Sequence, residues 1–382
     1  MKTTGRSLWK YLCLALLILP ISALPQAEPA AGEQMPVSGQ IVEVVFVLDT
    51  TGSMTGLIEG AKRKIWSIAN AIVDQNPDAA IRIGLVGYRD IGDDYVTRVY
   101  PLTTDIQGIY GKLLDFRANG GGDTPESVNE ALDAALLKQG WTPSGAGRVS
   151  RVIFLVGDAP PHMDYPQDRK YPEIIREARQ KSIIVNAVQA GDLSQTRKIW
   201  QEIARLGAGE YIAIPQDGGR IVVIETPYDE EIIIIQRKLN TTLIPYGKRE
   251  VQAEVDIKKR SYEAAAPSVA ADMSGFVNKS GKGRAVITGA GDLIADFNEG
   301  KAKLDKIPAA ELPENMRGMT FTEKQAYIAE QTQKRDELAR ELAQKVSQRD
   351  AFVKTEEAKK PAGKEGDSFD REVSKTLKTQ IK

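Results

Sequence analysis

The stretch Val44-Val45-Phe46-Val47-Leu48-Asp49-Thr50-Thr51-Gly52-Ser53-Met54 decides the fold. An unbroken apolar run of this kind suits a strand buried on both faces of a parallel sheet. It ends abruptly in an acid, hydroxyls and a glycine, residues that aim at a ligand rather than fill a core. In open α/β sheets ligands bind beyond the carboxyl ends of strands, so this loop is where chemistry is expected. Asp49, Thr51 and Ser53 alternate, which lets all three point one way while Gly52 permits a tight turn. Oxygen donors without histidine or thiolate suit a hard divalent cation.

Two distant stretches complete the reading. Gly120-Gly121-Gly122-Asp123-Thr124-Pro125-Glu126 is a flexible loop running into a helix, with Thr124 expected as its cap and Pro125 at the first helical position. Val152-Ile153-Phe154-Leu155-Val156-Gly157-Asp158-Ala159-Pro160-Pro161 is a second buried strand that ends in an acid. Asp-x-Thr-x-Ser, a loop threonine and an aspartate after a later strand make the five-residue pattern of a metal-ion-dependent adhesion site. On these residues the chain resembles the von Willebrand factor type A family, as a bacterial secreted or periplasmic member. The resemblance covers residues 40–247. Tyr88-Arg89-Asp90, which follows Ile81-Arg82-Ile83-Gly84-Leu85-Val86-Gly87, and Gly157-Asp158-Ala159-Pro160-Pro161-His162 are similar to the branch that holds bacterial A-domain proteins and the A domains of alpha-type protein kinases. Thr51 stands where many members have serine and offers the same hydroxyl.

The resemblance implies a doubly wound, mostly parallel sheet flanked by helices, with Mg²⁺ held by Asp49, Thr51, Ser53, Thr124 and Asp158; Mn²⁺ or Ca²⁺ could replace it. It also implies that hydroxyls contact the ion directly while aspartates often act through water. An open coordination position would then take an Asp or Glu from a protein partner. Asp123 either orients the loop through a hydrogen bond or is simply an acid favoured at a helix entry. Tyr88, Arg89 and Asp90 either reach the crevice or serve the structure at a strand end. His162, the sole histidine, borders the ligand surface or is an unremarkable exposed loop residue.

At 382 residues the chain is long enough for one large or two modest domains. Lys2, Arg6 and Lys10 precede Tyr11-Leu12-Cys13-Leu14-Ala15-Leu16-Leu17-Ile18-Leu19, and Ser22-Ala23 follow Pro20. That order reads as a signal peptide over residues 1–23, directing the chain to the periplasm or outside; the alternative is a retained membrane anchor. An apolar run this short falls below the ~20 residues a spanning helix needs, so no transmembrane span is expected after cleavage. The only cysteine, Cys13, lies in the segment expected to be lost, which excludes disulfides and thiolate metal sites from the remainder. What remains carries 48 basic against 52 acidic residues and argues against nucleic acid as a partner.

Residues 24–39 read as a spacer, and strands and helices then alternate to residue 247. Thr97 to Leu102 is expected as a hairpin partner, and Thr226-Pro227-Tyr228-Asp229 as the cap of a helix containing Ile232 to Ile235, although four isoleucines also suit a strand. Residues 248–321 read as a small α+β satellite or extended wrap, with a strand over Val251 to Lys259 and hairpin character over Gly281 to Asp296. A charged helix is expected over residues 322–359, opened by Thr322 with Gln325. Its apolar stripe of Ile328, Leu338, Leu342, Val346 and Val353 fits packing on one side, or else a dimeric coiled coil. Residues 360–382 read as a mobile tail.

No HExxH, P-loop, CxxC or GxSxG occurs, and the aspartates of the metal loop are committed to the ion. The expected activity is therefore binding rather than catalysis. Metal-assisted hydrolysis or phosphoryl transfer at the same cation, and a structural role through the C-terminal helix, are the alternatives.

Overall fold

The computed structural model describes residues 39–122, 124–143, 145, 147–219, 224–280, 285–359 and 369–381. The expected signal peptide, most of the spacer, Asp123 and the first part of the tail lie outside them.

Six strands form one sheet: β1 (Ile41–Asp49), β2 (Ala80–Tyr88), β3 (Thr97–Thr103), β4 (Val149–Gly157), β5 (Ile183–Ala190) and β6 (Ala208–Ile214). Their order is β3-β2-β1-β4-β5-β6. All neighbours are parallel except β2 and β3, which pair as the expected hairpin. From β1 the chain steps outward to β2 and β3, then crosses back to β4 on β1's other side. The reversal opens a crevice between the carboxyl ends of β1 and β4, where Asp49 and Asp158 fall.

Alternation along β1 sends Val42, Val44, Phe46 and Leu48 into one core and Val45 and Val47 into the other. On the first face lie α1 (Thr55–Gln75) and α2 (Ile106–Asp115); on the second, α3 (Val128–Leu137), α4 (Tyr171–Gln180) and α5 (Ser194–Leu206). Then follows α6 (Asp229–Asn240), where the four isoleucines form a helix. Thr226 donates through its hydroxyl to Asp229 Oδ1 at 2.8 Å and fixes the entry.

Beyond residue 247 the expectations need correction. Val251 to Lys259 is not a strand but part of α7 (Arg249–Ala264). The apolar residues there satisfy period two as well as helical spacing, but the buried set is Val255, Lys258 and Tyr262, while Ile257 is 51% exposed. Helical burial therefore decided the segment. The small apolar run after it forms α8 (Pro267–Ser280), which packs in the same core as α1, so this region is not a satellite. The hairpin expected to Asp296 is absent among the described residues, where α9 (Leu293–Asn298) begins instead; residues 281–284 lie outside them. A four-residue helix, α10 (Glu314–Arg317), precedes the long α11 (Phe321–Ala358).

Thr320 and Glu323 make the reciprocal capping box of α11, two residues before the expected Thr322 and Gln325. Its stripe is spent inside the chain: Leu342 and Val346 pack with α6 and α8, and Ile328 with a core that includes Leu293 and Met316. The arginines that interrupt the stripe also turn inward. Arg335 grips Asp292 and the Thr242 carbonyl, and Arg349 binds Asp229 at 2.7 Å and Asp272 at 2.8 Å. A dimeric coiled coil along this stripe would need those contacts to break.

The tail is also corrected. Phe369–Gln380 is a helix, α12, whose Phe369, Val373 and Leu377 recur every four residues and close the first face of the sheet. Phe369 meets Phe46 edge to face at 6.3 Å, and Gln380 exchanges amide hydrogen bonds with Asn186 on β5. Charged neighbours hide the apolar spacing from a composition count. Because Leu377 is fully buried, Leu377→Ala is expected to cost about 2–5 kcal/mol in chemical denaturation. A loss below about 0.5 kcal/mol would mean that α12 does not hold the sheet.

Candidate metal centre

The crevice is built from the ends of strands. Asp49, the last residue of β1, is fully buried. Its Oδ1 accepts from the Thr51 peptide N–H at 2.8 Å and the Thr51 hydroxyl at 2.6 Å. Its Oδ2 is buried and has no hydrogen-bond partner of good geometry among the described residues, although the Asp158 peptide N–H also favours the charged carboxylate. The Ser53 hydroxyl lies 3.4 Å from that of Thr51, on the 3-10 turn Gly52–Met54 leading into α1. Asp158 follows β4, half-buried, and its Oδ2 accepts from the Gln216 amide at 2.6 Å. The same amide reaches the Ser53 carbonyl at 3.4 Å. Asp49, Thr51, Ser53 and Asp158 thus lie beside one another at the crevice. Thr124 is exposed on its loop, with no hydrogen bond to any of the four among the described residues, and Asp123 lies outside them.

The helix start expected at Pro125, after a Thr124 cap, also shifts. Glu126 donates its peptide N–H to the Pro160 carbonyl at 2.9 Å and accepts from the His162 N–H at 3.0 Å. This short parallel bridge to the loop after β4 keeps the chain extended, and α3 begins two residues later. The consequence is a residue that sequence reasoning passed over. The Glu126 side chain is 3% exposed and its Oε2 has no partner. Burial and the charges of Asp49, Asp90, Asp93 and Asp158 push its carboxyl up to about 9. Glu126 stands inside the quoted loop motif, but only the bridge to Pro161 reveals that it turns inward.

Tyr88, Arg89 and Asp90 hold the crevice together rather than face a ligand. Arg89 donates to the carbonyls of Thr50 at 3.2 Å and Arg117 at 2.7 Å, which clamps the β1 loop to the chain before the glycine-rich loop. The Asn119 N–H binds the Thr50 carbonyl at 3.1 Å and the Gly52 N–H that of Gly120 at 3.2 Å, completing the seam. Asp90 accepts from the hydroxyls of Ser127 at 2.7 Å and Tyr165 at 2.8 Å. His162 is not an exposed loop residue: it is 6% exposed, stacks on Tyr165 with centroids 4.0 Å apart, and lies between Asp90 and Asp164. The contact with His162 lowers the pKa of the Asp164 carboxyl.

Charge sets the chemistry. Burial, and to a smaller extent the Asp158 charge, push the Asp49 carboxyl up to about 7 although the Thr51 hydroxyl pulls it back. The Tyr88 phenol, buried against Asp49, Asp158 and Glu126, is raised well above its usual range. Among the described residues, no lysine or arginine pairs with Asp49, Glu126 or Asp158. Buried carboxylates without a paired lysine or arginine favour either protons or a cation. No three His, Cys, Asp or Glu side chains converge tightly enough to hold an ion alone among the described residues. The hydroxyls of Thr51 and Ser53 would therefore be part of the donor set, and all-oxygen donors fit a hard divalent ion.

Residues 43–225 match the family profile described as von Willebrand factor A domain. The sheet and its flanking helices have a von Willebrand factor A-like fold. The family points to a role in protein interaction or adhesion. Mouse von Willebrand factor A domain-containing protein 7 is 32% identical over 196 residues, 50% of this chain and 20% of that one. Alpha-protein kinase vwkA of Dictyostelium discoideum is 28% identical over 127 residues, 33% of this chain and 19% of that one. The chain spans a fifth or less of the length of these relatives. Among solved structures, the SpRpn10 VWA domain aligns with a TM-score of 0.35 and 15% identity, over 47% of this chain and 89% of that one. Proximal thread matrix protein 1 of the mussel byssus aligns with a TM-score of 0.35 and 15% identity, over 47% of this chain and 43% of that one. In the A domain and the helices that follow it, no described helix is long and apolar enough to cross a membrane.

The A-domain crevice also depends on a glycine. A Cβ at Gly157 would lie 2.4 Å from the Tyr88 hydroxyl and 3.0 Å from the Asp49 Cβ. Gly157→Ala is expected to cost about 1–3 kcal/mol by overpacking. Adding Tyr88→Phe should recover part of that loss, because the hydroxyl is the nearest obstacle. Equal losses in the single and double variants, measured by denaturation, would show that the crowding lies elsewhere.

Proposed function

We propose that the chain is a binding protein whose A domain takes a divalent cation, Mg²⁺ first, at Asp49, Thr51, Ser53 and Asp158, with Thr124 joining from the glycine-rich loop. A protein partner supplies an Asp or Glu to complete the coordination. The observation that carries this reading is the fully buried Asp49 carboxylate, whose Oδ2 has no hydrogen-bond partner of good geometry and which faces further acids with no neutralising lysine or arginine among the described residues. Bound there, the ion supplies positive charge that a partner's carboxylate can share. The chain's own residues fix its place: Thr51 holds Asp49, and Arg89 holds the loop that carries Thr51. Glu126 is a further buried acid of the crevice, and with its carboxyl pushed up to about 9 it keeps its proton at neutral pH. None of these groups is placed to accept a proton from a substrate once the acids serve the ion, so the reading is of binding, not turnover. Export to the periplasm or beyond, cued by the basic and apolar segments before Ala23, belongs to the same proposal.

Calorimetric titration of the full chain with Mg²⁺ and Mn²⁺ tests it. Asp49→Ala should weaken binding at least tenfold, and a soluble carboxylate such as glutarate should tighten it in the wild type. Wild-type protein that binds neither ion at millimolar concentration would contradict the proposal. Turnover of a generic phosphoester that disappears in Asp49→Ala would favour hydrolysis instead.

A further inference from the structure

Gln216 is an exposed residue on the loop after β6, a position where a glutamine side chain ordinarily moves freely. Here both ends of its amide meet neighbours. Its Nε2 donates to Asp158 Oδ2 at 2.6 Å and to the Ser53 carbonyl at 3.4 Å. Its Oε1 fills the space beside Gly191, where a Cβ would come within 2.2 Å of it. Gly191 has φ of +74°, so glycine is favoured there by backbone and by space alike.

The start of the loop also packs closely on its neighbours. A Cβ at Gly56 would stand 3.0 Å from Asp217 Cα, and one at Gly218 would stand 3.3 Å from Leu57 Cα, so the loop presses on the first turn of α1. The Gly218 carbonyl accepts from the Phe369 N–H at 3.2 Å, which anchors it to α12. One amide therefore bridges the loop after β1 and the loop after β4 from a third loop packed on α1 and α12.

We infer that Gln216 is a positioning residue of the metal centre, orienting the Asp158 carboxylate toward the ion. The inference rests on the proposed metal binding. An amide donor suits the task because it is neutral. It holds Oδ2 in place and leaves Asp158's negative charge for the cation, whereas a lysine would cancel that charge. Oδ1 makes no hydrogen bond among the described residues and is the oxygen left for the ion or its water. Partners that orient a ligand in this way commonly alter metal affinity by about 10–100-fold.

The test uses the full chain with Mn²⁺ as the probe, following free Mn²⁺ and the bound line shape by electron paramagnetic resonance. Gln216→Ala should weaken Mn²⁺ binding about tenfold and change the bound spectrum, with an unchanged melting temperature in metal-free buffer. Gln216→Glu, similar in size but without the donor and with a like charge beside Asp158, should weaken it further. Equal or tighter binding in Gln216→Ala would overturn the inference, tighter binding identifying the amide as a competitor of the ion. A fall in metal-free melting temperature with an unchanged bound spectrum would assign Gln216 a structural role and overturn it too. Absence of Mn²⁺ binding in the wild type would instead remove the metal reading on which it stands.

Discussion

A carboxylate with one oxygen satisfied and the other buried without a hydrogen-bond partner of good geometry sits at the end of the central strand, and the surrounding loops are arranged around it. Asp49 lies where strand order reverses between β1 and β4, so β2 and β4 both end beside it. Thr51 consumes Oδ1. Arg89 and Asn119 hold the Thr50 carbonyl and keep Thr51 in place, while Gly157 lets β4 pass close enough for Asp158 to share the crevice. Burying an acid costs free energy unless something answers its charge, and the acid that faces it, Asp158, carries charge of the same sign. The arrangement makes sense around a cation.

The framework beneath is completed by residues far along the chain. α12 covers β1 through Phe369 and ties to β5 through Gln380, while α8 lies against α1. Buried ion pairs fix how the added helices meet the A domain. Arg349 joins α11 to α6 and α8, and Asp272 also accepts from Ser67 on α1 at 3.0 Å. Lys258 on α7 reaches Asp105, the cap of α2, at 2.7 Å. Such pairs specify geometry more than they add stability, because each charge gives up water to enter. They make the C-terminal third part of the same body as the sheet.

The sheet was legible because its signals are local. The run from Val44 to Leu48 has no other way to hide its apolar faces, and an acid after it marks the strand's end. Thr51 and Ser53 follow from the same stretch. Glu126 was not legible, since a glutamate after proline reads as a helix entry and only the pairing with Pro161 turns it inward. Gln216 carried no signal, because its role depends on loop packing at Gly56, Gly191 and Leu57. His162 looked exposed because nothing in its loop announces the stack on Tyr165. In the C-terminal third, Val255 and Tyr262 needed the core they enter before their helical spacing outweighed strand alternation, and α12 hid its three apolar anchors among charged neighbours.

Anomalous X-ray diffraction from crystals grown with Mn²⁺ tests the central claim most directly. A single strong peak in the crevice, within coordinating reach of Asp49, Thr51 or Ser53 and on the side of Asp158, is the expected result. A map with no peak there, with the Asp49 carboxyl hydrogen-bonded as a neutral acid, would contradict the account.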